Sequence, residues 1–286
     1  MSNRADAHIH LFEGGFQGAS FIKRLAMPID EAVCYDSLAA DHDVKVALVV
    51  GYSGAPWCVD NHDYIAAMAA QYEWARPATS IDATAPPTTD ELERFKAQGF
   101  VGVTLYIFGP ECIAALKAIP DAFWTWISDQ RWLVSVNSKG EDWNAWHDIL
   151  NRHPSLRVLI SHLGLPPNVS VPPPADEARA SMAEVLSLAA YPQVHVKLSG
   201  FYAITEPQYE YPHRAAWPYV EALIADYGID RLLWSSDFSP CLDNLSFPQT
   251  FGLFSQMPFL SDADRSKLEG ENLLALLDDI ATDTGT

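Results

Sequence analysis

Asp6-Ala7-His8-Ile9-His10-Leu11-Phe12 alternates polar and apolar residues across its first five positions. On a β-strand successive side chains leave opposite faces, so the alternation predicts that Asp6, His8 and His10 share one face. Two imidazoles two residues apart converge near a strand end, where they suit a metal ion or a polarised substrate oxygen. Two ordinary histidines on a half-exposed strand would show the same spacing. What the pair means therefore depends on the rest of the chain.

A helical or irregular segment is expected after this strand, Ala5 to Leu11, and then the near-continuous apolar run Val44–Val50. Such runs are typical of parallel strands covered on both faces. Further strands are expected at Ala78–Asp82, Phe100–Ile107, Trp132–Asn137, Arg157–Ser161, Val194–Ser199 and Arg231–Ser236. Helical stretches separate them. The first is Asn61–Arg76, and the next is capped by Thr89 or Asp90 and stops at Gly99. The others are Glu111–Ala118, Phe123–Gln130, Trp143–Arg152, Ala175–Ala190, Trp217–Tyr227, Phe247–Met257 and Asp262–Ile280. Eight strands alternating with helices across residues 1–286, with no linker or repeat, predict a single-domain α/β fold, the (β/α)8 TIM barrel. An open doubly wound sheet competes, but no glycine-rich phosphate fingerprint follows the first strand. The proline-rich 166–174 stretch and the aromatic 201–218 segment read as long loops, the natural lids of such a fold.

Eighteen Lys and Arg against 37 Asp and Glu leave a formal charge of −19. A field of that sign repels nucleic acid and anionic membranes, so the expected partner is a small-molecule substrate, with a homo-oligomer left open. The N-terminus carries no charged-then-apolar signal pattern, and no apolar run is long enough to span a bilayer. Cys34, Cys58, Cys112 and Cys241 are scattered, as expected of reduced thiols in a cytoplasmic protein.

In a barrel of this kind the chemistry sits where the strands run out at the C-terminal face. His8 and His10 fall at such an end on the first strand, His162 on the sixth and Asp237 on the eighth. The first and eighth strands become neighbours when the barrel closes, which would bring Asp237 beside the two histidines. Tyr52, Tyr106, Asn137 and Tyr202 fall at or just past other strand ends and could hydrogen-bond a substrate. Lys139 and Arg214 lie in loops and are candidate anion clamps, and Trp57, Phe108, Tyr209 and Tyr211 could roof the pocket. Lys197 could point inward to the site or outward to a carboxylate, while His195 reads as structural.

Three of these segments resemble signatures of the amidohydrolase superfamily. Residues 6–12 resemble its first-strand H-x-H, Val158–Pro166 its sixth-strand histidine segment, and Leu232–Pro240 its eighth-strand aspartate segment. Val196-Lys197-Leu198-Ser199-Gly200 is similar to the seventh strand of the "amidohydrolase 2" branch. That branch holds 2-pyrone-4,6-dicarboxylate lactonase and the sugar-acid lactonases. Glu269-Gly270-Glu271-Asn272 resembles the turn into its final helix. Metal-rich members of the superfamily carry a fifth-strand histidine and often a fourth-strand lysine or glutamate. Here those strands end in Asn137 and in Tyr106-Ile107-Phe108, which excludes a two-metal site of that design.

The resemblance implies a hydrolase that opens a lactone of a sugar acid or of an aromatic-catabolism dicarboxylate. Asp237 would be the general base, with His8, His10 and His162 stabilising the developing oxyanion. His162 could also protonate the leaving oxygen. One divalent metal, zinc before manganese, could be held by His8, His10 and Asp237, with His162 as a further ligand; metal-independent catalysis is the alternative. Asp237 is expected near its ordinary pKa. A decarboxylase or other lyase, or an inactive small-molecule-binding barrel, remains the competing reading.

Overall fold

The computed structural model describes residues 3–17 and 29–281. Eight parallel strands form one sheet in strictly sequential order. They are β1 (Arg4–Ile9), β2 (Val44–Val50), β3 (Ala75–Ser80), β4 (Gly102–Tyr106), β5 (Leu133–Asn137), β6 (Arg157–Ile160), β7 (Val194–Leu198) and β8 (Leu232–Trp234). The ring closes at its top, where Ile9 bridges Phe238 in parallel. There His8 O accepts from Asp237 N at 2.9 Å, and Phe238 O accepts from His10 N at 2.5 Å. With helices interleaved between the strands, this is a TIM barrel.

Two apolar layers hold it. Ala5, Ala7, Leu48, Val50, Leu133, Leu159 and Leu233 pack together inside the ring. The final helix adds Leu273 and Leu277 to that layer, and its Leu276 carbonyl accepts from Arg157 at the start of β6. That helix therefore covers the N-terminal end of the barrel. The larger outer layer joins alternate strand residues such as Ile9, Val49 and Val134 to the helices, including Trp124, Trp132, Trp143 and Trp146. Each of these indoles is at most 1% exposed, as expected of helix–barrel packing.

Several boundaries differ from the sequence reading. The helix expected over Asn61–Arg76 is α2 (His62–Gln71), and Ala75–Arg76 belong to β3. Its apolar stripe is real but ends at the cap Tyr72, and Pro77 inside β3 masks a strand. The cap of α3 (Thr89–Ala97) is Thr88, one residue earlier than expected, in a reciprocal box with Glu91. Met182 splits the stretch expected as one helix over Ala175–Ala190, and a six-residue 3-10 turn precedes Trp146–Arg152. The segment expected to follow β1 lies partly outside the described residues; its described end is α1 (Glu31–Asp41).

The first strand departs from simple alternation. Between Asp6 and Ile9 it carries one more residue than β2 opposite, and such a bulge re-aims side chains. Asp6 therefore does not share a face with the two histidines. Its carboxylate fills the β1–β8 seam, accepting from Ser236 N at 2.9 Å, His8 N at 3.2 Å and the Tyr35 hydroxyl at 3.0 Å.

Candidate active site

At the top of the closed ring the ends of β1, the turn after β6 and the turn after β8 converge. Nε2 of His8 lies 3.8 Å, and Nε2 of His10 3.9 Å, from Oδ1 of Asp237. The rings of His8 and His162 are centred 4.9 Å apart. His162 and Asp237 both sit at positive φ, 53° and 60°. That conformation is uncommon outside glycine and clusters at functional sites. Gly200, at φ +65°, makes room for His162: a Cβ there would lie 2.7 Å from His162 Nδ1.

Partners fix each ring. His10 Nδ1 lies 2.9 Å from the Val50 carbonyl, and its Nε2 lies 3.0 Å from His8 Nε2. His8 Nδ1 has Lys197 Nζ at 3.3 Å and Ser161 Oγ at 3.4 Å. His162 Nδ1 lies 2.9 Å from Ser199 Oγ. On the carboxylate, Oδ2 of Asp237 accepts from the Tyr202 hydroxyl at 2.5 Å. One oxygen is thus held from above while the other faces the histidines.

Burial governs the electrostatics here. It pushes His10 down to about 4 and His162 down to about 3, with the Lys197 charge adding to the depression of His162. Burial, then Lys197, also lowers His8 well below the usual histidine range. All three rings are neutral at neutral pH. Asp237 is raised by burial to about 6, against the pull of His10, Tyr202 and Lys197. That corrects the expectation of an unperturbed carboxylate, though it leaves the group mostly ionised at neutral pH. Lys197 is lowered by burial to about 7, with Asp6 and Asp237 opposing.

Among the candidate substrate residues, Tyr52 and Tyr106 join the cluster as an aromatic wall. Tyr52 is 5.6 Å from Tyr106 and 5.8 Å from Trp57, ring centre to ring centre, and Phe12 lies 5.7 Å from His10. Asn137 is buried at the end of β5, paired in register with Tyr106. Tyr202 is bound to Asp237 itself. Lys139 instead lines a cavity of about 430 Å³ with Glu141, Leu163, Leu165, Pro166 and Val185, and the clustered histidines and Asp237 are not in its lining. Arg214 is exposed and lies over the Trp217 ring at 5.6 Å. Tyr209, offered as a roof, is 74% exposed.

Two residues were harder to see in advance. Lys197 is completely buried and donates to Ser135 Oγ at 2.7 Å. The signal was a charge inside the strand Val194–Leu198, which left open whether Lys197 points inward to the site or outward to a carboxylate. Glu31 had no sequence signal. Its buried carboxylate accepts from Phe12 N at 2.8 Å, Phe16 N at 2.7 Å and the Ser239 hydroxyl, clasping the loops that follow β1 and β8.

His8, His162 and Asp237 bring one ligand atom each to within 4.8 Å of one another. Two imidazoles and a carboxylate are a donor set found at catalytic zinc, so these side chains fit one divalent ion in kind and spacing. His10, expected as a ligand with His8 and Asp237, brings its Nε2 to 3.0 Å from His8 Nε2 and 3.9 Å from Asp237 Oδ1.

The ring of strands and the histidine–aspartate cluster at its C-terminal mouth define a TIM barrel built as amidohydrolases are. Residues 5–278 match the amidohydrolase 2 family, and the chain belongs to it. A curated relative, the L-fucono-1,5-lactonase of Burkholderia ambifaria, is 36% identical over 87 residues, 30% of this chain and 28% of that protein. Among solved structures, a zinc-bound amidohydrolase from Burkholderia multivorans superposes with TM-score 0.78 at 17% identity, covering 96% of this chain and 99% of its own. A probable 2-pyrone-4,6-dicarboxylic acid hydrolase from Acinetobacter baumannii, with citric acid bound, gives 0.72 at 19% identity over 96% and 99%. At these identities the structural likeness concerns the fold.

Proposed function

We propose that this amidohydrolase opens the ring of a sugar-acid lactone, with Asp237 as general base. The observation that carries the reading is Oδ1 of Asp237 facing the His8 and His10 rings while Oδ2 is engaged by Tyr202. A water beside Oδ1 would lose its proton to Asp237 as its oxygen bonds to the lactone carbonyl carbon. The carbonyl oxygen then becomes an oxyanion to which the His162 ring can donate, since the His10 N–H is taken up by the Val50 carbonyl. When the ring C–O bond breaks, the proton held on Asp237 passes to the leaving alkoxide, and the product is an open hydroxy acid. His162, expected as that proton donor, is neutral at neutral pH, so its part is hydrogen bonding. A divalent ion, if held by His8, His162 and Asp237, would supply Lewis acidity and a more acidic water.

Two observations support a sugar lactone over a dicarboxylate. The wall formed by Phe12, Tyr52, Trp57 and Tyr106 offers apolar ring faces to a neutral substrate, and the net charge of −19 opposes a dianion. The curated relative's name, L-fucono-1,5-lactonase, agrees. Acid release followed with a pH indicator across sugar 1,4- and 1,5-lactones and 2-pyrone-4,6-dicarboxylate tests this. The sugar lactones should turn over fastest. Carbon dioxide release from carboxylated arenes without lactone turnover would replace the reading with a decarboxylase.

A further inference from the structure

The turn that carries His162 is left-handed for four residues in a row. Its φ is 53° at His162, 55° at Leu163, 80° at Gly164 and 53° at Leu165. Every residue but the glycine has a Cβ, which disfavours that backbone. Two backbone bonds close the turn, from Gly164 N to Ser161 O at 2.9 Å and from Leu165 N to His162 O at 2.8 Å. A strained conformation of this kind persists only where its surroundings over-determine it. Here the support is Trp143, on the 3-10 turn Gly140–Ala145 that follows β5. Its fully buried indole donates Nε1–H to the Gly164 carbonyl at 3.0 Å. A Cβ on Gly164 would collide with Val185 and lie 3.4 Å from Trp143 Nε1, so the turn is seated directly on the indole. Packing does not enclose it on every side: the cavity of about 430 Å³ counts Leu163, Gly164 and Leu165 in its lining. The turn therefore has room to relax, and a directed bond holds it. Burial does not supply such a bond by itself, since the neighbouring indole nitrogens of Trp124 and Trp146 find no partner among the described residues.

We infer that Trp143 is a positioning residue: its indole N–H fixes the left-handed turn and so aims the His162 ring at the reactive centre. The direction in which a side chain leaves the backbone follows from φ and ψ. A relaxed turn would carry the ring away from Ser199 Oγ, which its Nδ1 meets at 2.9 Å, and from His8, 4.9 Å off between ring centres. The loop after β5 thus governs a group presented after β6, through the carbonyl of the residue two places beyond it.

This role rests on the lactonase reading, in which His162 donates to the oxyanion, but one arm of its test needs no substrate. Trp143→Phe keeps an aromatic ring and removes the N–H. Crystal structures of wild type and variant are compared, and kcat and KM are measured on a sugar lactone that the wild type opens. We expect the wild-type turn to be left-handed with the indole on Gly164, and the variant to lose the contact between His162 and Ser199. Its kcat should fall at least about tenfold with KM within about threefold of wild type, since a displaced donor weakens the transition state and not the bound substrate. Trp126→Phe, which removes an indole bond of 2.8 Å to Glu93 from the helix Asp121–Asp129, should keep kcat within about twofold. A wild-type turn at negative φ would overturn the inference whether or not the variant folds. So would a variant that keeps the turn and the His162–Ser199 contact, a loss of kcat under about tenfold, or an equal loss in Trp126→Phe. Should the wild type open no lactone, the lactonase reading fails and the crystal structures decide the role of Trp143.

Discussion

Tyr202 reaches Asp237 from the short helix Phe201–Ile204, and its hydroxyl takes one carboxylate oxygen out of circulation. That leaves Asp237 a single free oxygen, aimed at the first-strand histidines. A hydrogen bond to a charged group contributes about 1.5–3 kcal/mol, so Tyr202→Phe should lower kcat by about 10- to 100-fold. KM should move little if the hydroxyl serves the base rather than the substrate; a rise in KM alone would assign Tyr202 to substrate binding. Gly200 offers a second test at this scale. An added methyl would meet the His162 ring and adopt a disfavoured φ of +65°. Gly200→Ala should therefore cost both activity and about 1 kcal/mol or more of stability, measured by urea denaturation.

At the scale of elements, the clasp made by Glu31 ties α1 to the loops after β1 and β8. Removing it strands backbone N–H groups of Phe12 and Phe16, at about 1–3 kcal/mol for each buried unsatisfied donor. Glu31→Ala should lose about 2 kcal/mol or more of unfolding free energy, and turnover should fall as Asp237 loses its support. Unchanged stability would show the clasp to be dispensable. The elements also show what could be read in advance. Val44–Val50 and Trp217–Tyr227 have the same limits in the structure as in the sequence, because an apolar run and a helix opened at Pro218 and closed at Gly228 depend on local chemistry. The direction of Asp6 was not legible, because the bulge that turns it into the seam depends on how many residues β2 sets opposite. Nor was Glu31, whose partners lie 15, 19 and 208 residues away. His8, His10 and Asp237 were legible as neighbours because ring closure alone puts the first strand beside the eighth. Arg214 shows the limit of reading a loop, since only the fold places its guanidinium over Trp217.

For the molecule as a whole, buried histidines make stability depend on pH. His195 and His213 are pushed down by burial to about 4, below the ordinary 6.5. Between those values the unfolded chain binds more protons than the folded one. The stability held above pH 6.5 is therefore lost as pH falls toward 4. Glu31 and Asp6, raised by burial to about 7 and about 6, act in the opposite sense, gaining stability on acidification. Their contributions cancel in a comparison of His195→Gln with the wild type. The variant's unfolding free energy, relative to wild type, should improve between pH 7.5 and pH 4.5 by up to about 3 kcal/mol. A pH-independent difference would mean that His195 is not held neutral. Among the described residues no helix is long and apolar enough to cross a membrane, and all four cysteines are free thiols.

The central claim is that Asp237, brought by ring closure to face His8 and His10, activates the water that opens a lactone. Its most direct test is the turnover of a sugar lactone by Asp237→Asn, an isosteric change that keeps the shape and removes the base. The account predicts a loss of at least about 10³-fold in kcat with an unfolding midpoint close to wild type. Turnover within about tenfold of wild type, outside the 10²–10⁴-fold range that a general base contributes, would contradict it.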